Sequence, residues 1–301
     1  MVGQNALPID NISVQHAGTE HLAVRNTILN RFLTLLALKT TARFFQRHGP
    51  CSPISQNLVV KTGKFVHLTE AATLRFIRSN TTIPVPRVHC SFIHDNQAYI
   101  AMERIRGETI ADAWPSLSTS DLESLFAQLR HILKEMRSLR PFGTGVRSCT
   151  GSSFRDSRIP RSKPRFGPFE TIHELHVWLR DGFQLEQHQG RDRDRQRQRQ
   201  LDDQDWTEIQ DMISKQDGPW PPPIFTHGDL NPFNILVRGA QVVGIIDWEF
   251  SGWYPYYWEY TSTWHGNKTR QAWQDVIPKF LDPDPECLKM ETIRQRWWGD
   301  F

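Results

Sequence analysis

The sequence predicts an α+β protein with two lobes, a small lobe containing a sheet and a larger, mainly helical lobe after it. Residues 56–105 combine short apolar runs typical of strands with a single helical pattern, whereas residues 120–141 form one long helical pattern. We expect the N-terminal lobe, with its leading helical segment, to span residues 1–105 and the C-terminal helical lobe to span residues 106–301.

Length and composition indicate a globular chain. With 301 residues, 38% of them hydrophobic and 23% charged, it can bury one large core or two smaller ones. The formal net charge of +3 is too small to indicate a nucleic-acid partner. The four cysteines lie far apart, which argues against a zinc site or a dense disulfide framework and favours a reducing, cytoplasmic compartment.

The first strongly apolar stretch covers residues 28–45. Arg31 and Lys39 interrupt it, so it is too short and too charged to span a membrane, and it lies too far from Met1 to be an ordinary signal peptide. We interpret it as an amphipathic helix that packs on the core or on a partner. No membrane, nucleic-acid or obligate protein partner is expected.

A strand followed by a helix brings two opposite charges into the N-terminal lobe. Leu58–Val60 is strand-like and leads into Lys61, and a helical pattern starts after Leu68 with Thr69 as its candidate cap. Glu70 shares a face with the apolar positions four and seven residues later, which should point inward. Either the helix dipole favours this first-turn glutamate, or Glu70 holds Lys61 in a shared cleft and aims it at a phosphate.

The helical lobe should be built around residues 120–141. Ser120 and Glu123 match a capping box, and apolar side chains repeat along one helical face after them. Residues 143–170 are rich in Gly, Ser, Arg and Pro, which predicts a loop. The run RDRDRQRQRQ at residues 191–200 has no apolar residue and predicts a solvated insertion, because nucleic-acid binding would need aromatic platforms beside it.

Polar side chains flank a predicted hairpin within residues 224–247. In FTHGDLNPFNILV, Asp229 and Asn234 precede the first strand, a turn at residues 238–240 reverses the chain, and Asp247 follows the second strand. The three side chains should therefore converge at one end of the hairpin.

Phosphoryl transfer needs this set of groups. One carboxylate must orient an attacking hydroxyl and accept its proton, while oxygen ligands hold magnesium against the phosphates of the donor. Asp229 suits the first role, and Asn234 with Asp247 suits the second. A neutral amide beside a carboxylate coordinates a hard cation without adding excess negative charge near an anionic triphosphate.

These segments resemble the aminoglycoside phosphotransferase and choline kinase-like family, which shares the bilobal fold of protein kinases. HGDLNPFN resembles its catalytic loop, IIDWE its metal-binding segment and VVK its strand lysine, and the resemblance covers about residues 55–260. TEAATLRFIRSNTTIPVPRV and EFSGWYPYYWEY are similar to a group of fungal members, which implies a fungal source. The fold implied is a protein-kinase-like one with a small antiparallel sheet in its first lobe.

The resemblance also implies an activity and a catalytic set. The protein would be an ATP-dependent kinase that uses Mg²⁺ and phosphorylates a hydroxyl group of a small molecule, such as an amine-bearing metabolite or xenobiotic. Asp229 would be the catalytic base, and Asn234 and Asp247 the magnesium ligands. His227 would organise the loop rather than transfer a proton.

Nucleotide binding is implied at a second set of residues. Lys61 would contact the phosphates of the donor, and Glu70 would orient Lys61. The backbone of Glu103, Arg104 and Ile105 would bind adenine at the hinge between the lobes.

Two departures from the kinase pattern leave alternatives open. The segment before Lys61, HGPCSPISQNLVV, lacks a repeated glycine pattern, which favours a pseudokinase-like binding or regulatory protein. The metal segment is Asp-Trp-Glu with no long activation segment after it, which disfavours a protein kinase. The aromatic run WYPYYWEY at 253–260 is compatible with a cage in which Glu259 helps to hold an amine, or with simple packing between elements.

Overall fold

The N-terminal lobe is built on a four-stranded sheet in the computed structural model, which describes residues 14–141, 143–159, 164–185 and 203–299. One helix precedes this sheet and a second connects two of its strands. In chain order the elements are α1 (Ile28–Lys39), β1 (Cys51–Pro53), β2 (Leu58–Gly63), α2 (Leu68–Asn80), β3 (Val88–His94) and β4 (Gln97–Glu103). The strand order is β1-β2-β4-β3, and every neighbouring pair is antiparallel.

Strand alternation gives this sheet two apolar faces. Val60 on β2 faces α1, whose Leu35 and Leu38 pack against it and its buried neighbours. Lys61 is the next residue and therefore faces the opposite side, where its strand partner Ile100 belongs to the main core. The sheet thus separates α1 from the side of the lobe that carries Lys61.

Both helices of this lobe have ends that the sequence pattern misplaces. The helix predicted over 28–45 is divided into α1 and a 3-10 turn at Thr41–Phe44. The start of α2 is Leu68, and its N-cap is His67, whose ring Nδ1 accepts the N–H of Thr69 at 3.2 Å. The predicted cap at Thr69 is wrong because an extended histidine two residues earlier already takes the capping role.

The second lobe is mainly helical and contains two small sheets. Its helices are α3 (Ile110–Ala113), α4 (Thr119–Arg137), α5 (Ile172–Leu179), α6 (Asp203–Gln216), α7 (Trp258–His265), α8 (Gln271–Gln274) and α9 (Pro285–Trp298). Its strands are β5 (Glu108–Thr109), β6 (Ile224–Thr226), β7 (Ile235–Arg238), β8 (Gln241–Ile245) and β9 (Gly252–Tyr254). β5, β7 and β8 form one antiparallel sheet, and β6 pairs with β9. The predicted α+β, bilobal fold is confirmed.

α4 is the long helix predicted in this lobe. Its capping box lies two residues before the predicted one: Ser118 Oγ accepts the N–H of Asp121 at 3.2 Å, and Asp121 Oδ2 accepts the N–H of Ser118 at 3.0 Å. The predicted pair of Ser120 and Glu123 is wrong because Ser120 is already helical. The apolar face is buried as the periodicity predicts, through Leu125, Phe126, Leu129, Ile132, Leu133 and Met136.

One hydrophobic core crosses from the first lobe to the second. Leu74 and Ile77 on α2 belong to the same buried cluster as Leu129 on α4 and Trp253 on β9. The same face of α2 carries the buried Glu70. This core fixes α2 against the second lobe and thereby positions the one charged side chain on its inner face.

The predicted lobe boundary after residue 105 falls in the connection between β4 and β5, and it remains a prediction. The arginine-rich run at 191–200 lies outside the described residues. Within the described ranges, every helix is too short or too polar to cross a lipid bilayer.

Candidate active site

Lys61, which is itself buried, forms the centre of a group of charges between the lobes. Its Nζ lies 2.9 Å from Glu70 Oε1, 2.5 Å from Asp247 Oδ1 and 3.7 Å from Glu249 Oε2. β2 supplies the lysine, the first turn of α2 supplies Glu70, and the segment after β8 supplies the other two carboxylates. The structure therefore pairs Lys61 with Glu70, which was one of the two interpretations of Glu70 from the sequence. It also places Glu249 in this group, which the sequence did not predict.

The environment shifts the protonation equilibria of this group. Burial would lower the pKa of Lys61, but Glu70, Asp247 and Glu249 outweigh this effect and raise the pKa well above its ordinary value. Burial also raises the pKa of the Glu249 carboxyl, and the negative charge of Asp247 adds to that shift. Lys61 is thus held as an ammonium ion in a site with three nearby carboxyl groups.

Asp247 has an unusual backbone conformation at the end of β8. Its φ of 64° places it in the left-handed region, which residues other than glycine adopt rarely and which aspartate and asparagine tolerate best. A 3-10 turn at Trp248–Phe250 follows directly. The side chain is 38% exposed, so the carboxylate contacts Lys61 and still faces the cleft. Backbone strain at a charged cleft residue points to a functional constraint.

Asp229 and Asn234 are joined within the loop between β6 and β7. Asn234 Nδ2 donates to the Asp229 carbonyl at 2.9 Å and to Asp229 Oδ2 at 3.0 Å. Asn231 Nδ2 donates to the same carboxylate oxygen at 3.0 Å. Both amide hydrogens of Asn234 are directed at Asp229. The Oδ1 atom of Asn234 therefore remains available to bind a cation.

The hairpin brings the two polar loops together as predicted. Ile235 pairs with Ile245, and the N–H of Ile246 donates to the carbonyl of Asn234 at 3.0 Å. Asn234 and Asp247 therefore leave neighbouring strands at the same end. The turn at the other end falls between β7 and β8, at the predicted position.

His227 links these two loops. Its Nδ1 accepts the N–H of Asp229 at 3.2 Å, so Nε2 carries the ring proton and donates to the carbonyl of Ile246 at 3.0 Å. The ring also packs edge-on against Trp248, with the ring centroids 4.6 Å apart. Both ring nitrogens are thus used in holding the backbone of the predicted catalytic loop beside the metal segment.

Glu259 anchors the same loop through hydrogen bonds to its backbone. Its carboxylate accepts the N–H of His227 at 2.6 Å and the N–H of Gly228 at 3.1 Å, and the residue is 1% exposed. Burial raises the pKa of this carboxyl, although its bonds to the loop oppose the shift. Glu259 therefore belongs to the support of the loop.

The aromatic-cage interpretation is wrong. Five of the six rings in this run pack inside the lobe, and each of the five is at most 5% exposed: Trp253, Tyr254, Tyr257, Trp258 and Tyr260. The sixth, Tyr256, is 39% exposed and cannot form a cage alone. Glu259, the proposed carboxylate of the cage, is held by backbone donors. The packing interpretation is the correct one, since five of the six rings are buried against other elements of the lobe.

Two arginines that the sequence analysis did not single out reach the site from the segment predicted as a loop. Arg155 pairs with Glu249. Arg158 Nη2 donates to Asp156 Oδ2 at 2.7 Å and to the carbonyl of Gly228, and its Nη1 lies 3.7 Å from Asp229 Oδ1. Burial alone would lower the pKa of Arg158, but these carboxylates raise it, so the guanidinium stays charged.

The hinge residues lie at the end of β4. The N–H of Glu103 donates to the carbonyl of Arg87 at 2.9 Å, and the N–H of Arg104 donates to the carbonyl of Asn57 at 2.8 Å. Both donors are therefore used by neighbouring backbone. A base that docks here would bind through Ile105 or through the carbonyl oxygens of this segment.

A small antiparallel sheet, a helical lobe and a polar hairpin between them define the class of kinase-like phosphotransferases. The chain belongs to the phosphotransferase enzyme family, whose sequence profile matches residues 67–289. This match covers the helix of Glu70, the predicted catalytic loop and the metal segment.

Solved structures of an aminoglycoside phosphotransferase, APH(4)-Ia, share the fold. A thermostable mutant in complex with AMP-PNP and hygromycin B is 12% identical, with a TM-score of 0.55, and the match covers 84% of this chain and 82% of that one. A complex of a thermostable mutant with ADP and hygromycin B is 13% identical, with a TM-score of 0.53, and covers 83% and 82%. At this level of identity the likeness concerns the fold alone.

A curated relative matches over a shorter segment. A subtelomeric hrmA-associated cluster protein of Aspergillus fumigatus is 32% identical over 76 residues. That segment is 24% of this chain and 15% of the relative, so the match spans a small part of either protein.

Proposed function

We propose that the protein is an ATP-dependent kinase that transfers the γ-phosphate to a hydroxyl group of a small molecule. The observation that carries this proposal is the position of Lys61, which lies 2.9 Å from Glu70 and 2.5 Å from Asp247 across the cleft. An ammonium ion held in this way can exchange a carboxylate for a donor phosphate without leaving its site. Family membership and the nucleotide-bound neighbours of the same fold support the proposal.

Asp229 is the proposed base. The acceptor oxygen forms a bond to the γ-phosphorus, the bond from that phosphorus to the β-phosphate oxygen breaks, and the hydroxyl proton passes to the Asp229 carboxylate. Asn231 and Asn234 both donate to Oδ2, and we propose that Oδ1, which lies 3.7 Å from Arg158 Nη1, orients the hydroxyl. His227 holds the backbone on which this geometry depends.

The oxygen donors fit magnesium. Asn234 Oδ1 and the Asp247 carboxylate are hard ligands that leave the same end of the hairpin. In the described part of the chain, Glu70, Asp247 and Glu249 also offer oxygens within 4.8 Å of one another. Lys61 Nζ already occupies the space among these three carboxylates, so we assign the ion to Asn234 and Asp247. When bound, it would withdraw negative charge from the phosphates of the donor.

The acceptor is proposed to be small. Only the short 3-10 turn and β9 separate Asp247 from α7, which begins at Trp258, so little chain is available there to bind an extended peptide. A cavity of about 230 Å³ opens beside Arg158, with Ser262 and Glu291 among its lining residues. We propose amine-bearing metabolites and xenobiotics as the first acceptors to test. Aminoglycosides, the class of compound after which the APH(4)-Ia phosphotransferase is named, belong to this group.

A cytoplasmic location and a fungal source complete the proposal. All four cysteines are free thiols, which suits a reducing compartment. The matching relative comes from Aspergillus fumigatus.

Thermal unfolding with and without magnesium-ATP tests the nucleotide site. Ligand at about 100 times its Kd stabilises a protein by about 2.7 kcal/mol, which raises Tm by several degrees. We expect this shift in the wild type and in Asp229→Asn, but a smaller one in Asp247→Asn. Release of ADP with a panel of hydroxylated amines then tests transfer, and Asp229→Asn should lower its rate about 10²–10⁴-fold.

The same measurements separate the alternatives. No shift with ATP or GTP would favour a binding protein that retains the fold without the nucleotide. A normal shift in both variants, or equal transfer rates in wild type and Asp229→Asn, would contradict the assigned roles.

A further inference from the structure

The side of α1 that faces away from the sheet is apolar. Residues at intervals of four, which share one side of a helix, form two adjacent rows along this surface. The exposed fractions are 88% for Ile28, 60% for Phe32 and 43% for Leu36 in one row, and 63% for Leu29 and 50% for Leu33 in the other. Phe44, in the turn after the helix, is 73% exposed. We call these six residues the α1 face.

This arrangement differs from the amphipathic helix that the sequence predicts. Thr34 is buried and Leu35 and Leu38 pack on the sheet, so α1 has apolar side chains on both sides. A surface helix normally presents polar side chains to water. Six of the ten large hydrophobic side chains that are exposed in the described residues belong to the α1 face, and such concentration marks an interaction surface.

The chain around the α1 face is strongly basic. Residues 21–69 contain no aspartate or glutamate and seven lysines and arginines. Five of these flank or interrupt the face, namely Arg25, Arg31, Lys39, Arg43 and Arg47. None of the five forms an ion pair with a carboxylate in the part of the chain that the structure describes. Their charge is therefore available to an anionic partner.

We propose that the α1 face docks on the surface of an anionic lipid bilayer. The apolar side chains would enter the boundary between headgroups and acyl chains, and the flanking cations would bind the acidic headgroups. A second copy of this chain fits less well, because a symmetric contact through the α1 face would bring like charges together. This proposal departs from the expectation that the protein has no membrane partner, because peripheral binding needs no spanning helix.

Docking of this kind leaves the cleft open. Val60 on β2 faces α1, whereas Lys61 points to the other side of the sheet. A bilayer bound to the α1 face would therefore lie behind the sheet and away from the catalytic loop. The protein would be a peripheral one whose active site stays in water.

Vesicle co-sedimentation of the full chain tests this proposal. We expect binding to phosphatidylcholine vesicles that contain about 30% phosphatidylserine, and weaker binding to phosphatidylcholine alone or at high salt. The double variant Arg43→Gln with Arg47→Gln removes two cations. It should bind these vesicles about thirtyfold more weakly, because each basic side chain near an anionic surface contributes about 1 kcal/mol. Phe32→Ser with Leu33→Ser should weaken binding to a similar or greater extent, while Val14→Ser, an exposed apolar residue outside the α1 face, should not.

Three results would overturn the proposal. The first is a wild-type chain that sediments with neither type of vesicle. The second is equal binding by the wild type and by Phe32→Ser with Leu33→Ser, with both proteins folded by circular dichroism. The third is a wild-type dimer in light scattering that these substitutions convert to a monomer, which would assign the α1 face to a second copy. None of these measurements depends on kinase activity.

Discussion

The two sides of the cleft are held together by different forces. On one side, Lys61 is fixed by full charges that come from β2, α2 and the segment after β8. On the other, the backbone of the loop that carries Asp229 is fixed by Glu259 and His227, mostly through main-chain N–H and carbonyl groups. The first arrangement can exchange partners when an anionic ligand enters. The second is set before any ligand arrives, which is what positioning of an attacking group requires.

The largest effect is expected from removing Lys61, the cation that holds the first side of the cleft together. Lys61→Met leaves Glu70, Asp247 and Glu249 facing one another, and breaking a buried pair by removing one partner costs about 3–5 kcal/mol. Urea unfolding measures this loss. The double variant Lys61→Met with Glu70→Leu should recover part of it, because it removes one of the unpaired carboxylates. A loss below about 1 kcal/mol in the single variant would show that the charges do not hold this side together.

A smaller loss of stability is expected when the loop that carries Asp229 loses its anchor, Glu259. Each oxygen of the Glu259 carboxylate accepts one buried N–H group. Glu259→Gln keeps one of these oxygens and places an NH2 donor against the other N–H, at a cost of about 1.5–3 kcal/mol. Because the loop would shift with its anchor, kcat should fall as well. Glu286→Gln is the matched control, since Glu286 is exposed and pairs with Lys215 at the surface. Equal stability of these two variants in urea would refute the anchoring role.

The smallest effect is expected at Arg158. Lysine can replace its charge but not the fork that contacts Asp156, Gly228 and Asp229 together. We expect Arg158→Lys to lower kcat about tenfold, equivalent to about 1.4 kcal/mol, with KM for the nucleotide unchanged. Arg296→Lys on α9, where the arginine pairs with Glu208 at the surface, serves as the control. An unchanged kcat for Arg158→Lys would leave the arginine with a purely structural role.

The features predicted correctly from the sequence depend on local spacing. A helical interval places Glu70 on the same face as Leu74 and Ile77, and a hairpin brings the segments of Asn234 and Asp247 to one of its ends. Each of these relations is fixed by one element or by two elements adjacent in the chain. The residue roles assigned at these positions remain predictions until the variants are measured.

The features that were missed depend on distant parts of the chain. Arg155 and Arg158 approach the site from a segment without periodicity, and their partners Glu249 and Gly228 lie 94 and 70 residues away. Glu259 was noticed, but only its burial shows that it supports the loop instead of lining a cage. The run STSDLES contains two overlapping capping boxes, and the backbone conformation at Ser118 selects the first.

The left-handed backbone at Asp247 has a consequence for how this position tolerates change. Most side chains meet a steric cost of about 1–2 kcal/mol in this conformation, whereas glycine, asparagine and aspartate largely avoid it. Cellular abundance across a saturation library should therefore report on the backbone at position 247, and catalysis should report on the carboxylate. An alanine variant would mix the two signals. Asparagine tolerates the same backbone conformation and removes the charge. Loss of activity in Asp247→Asn would therefore report on the carboxylate alone.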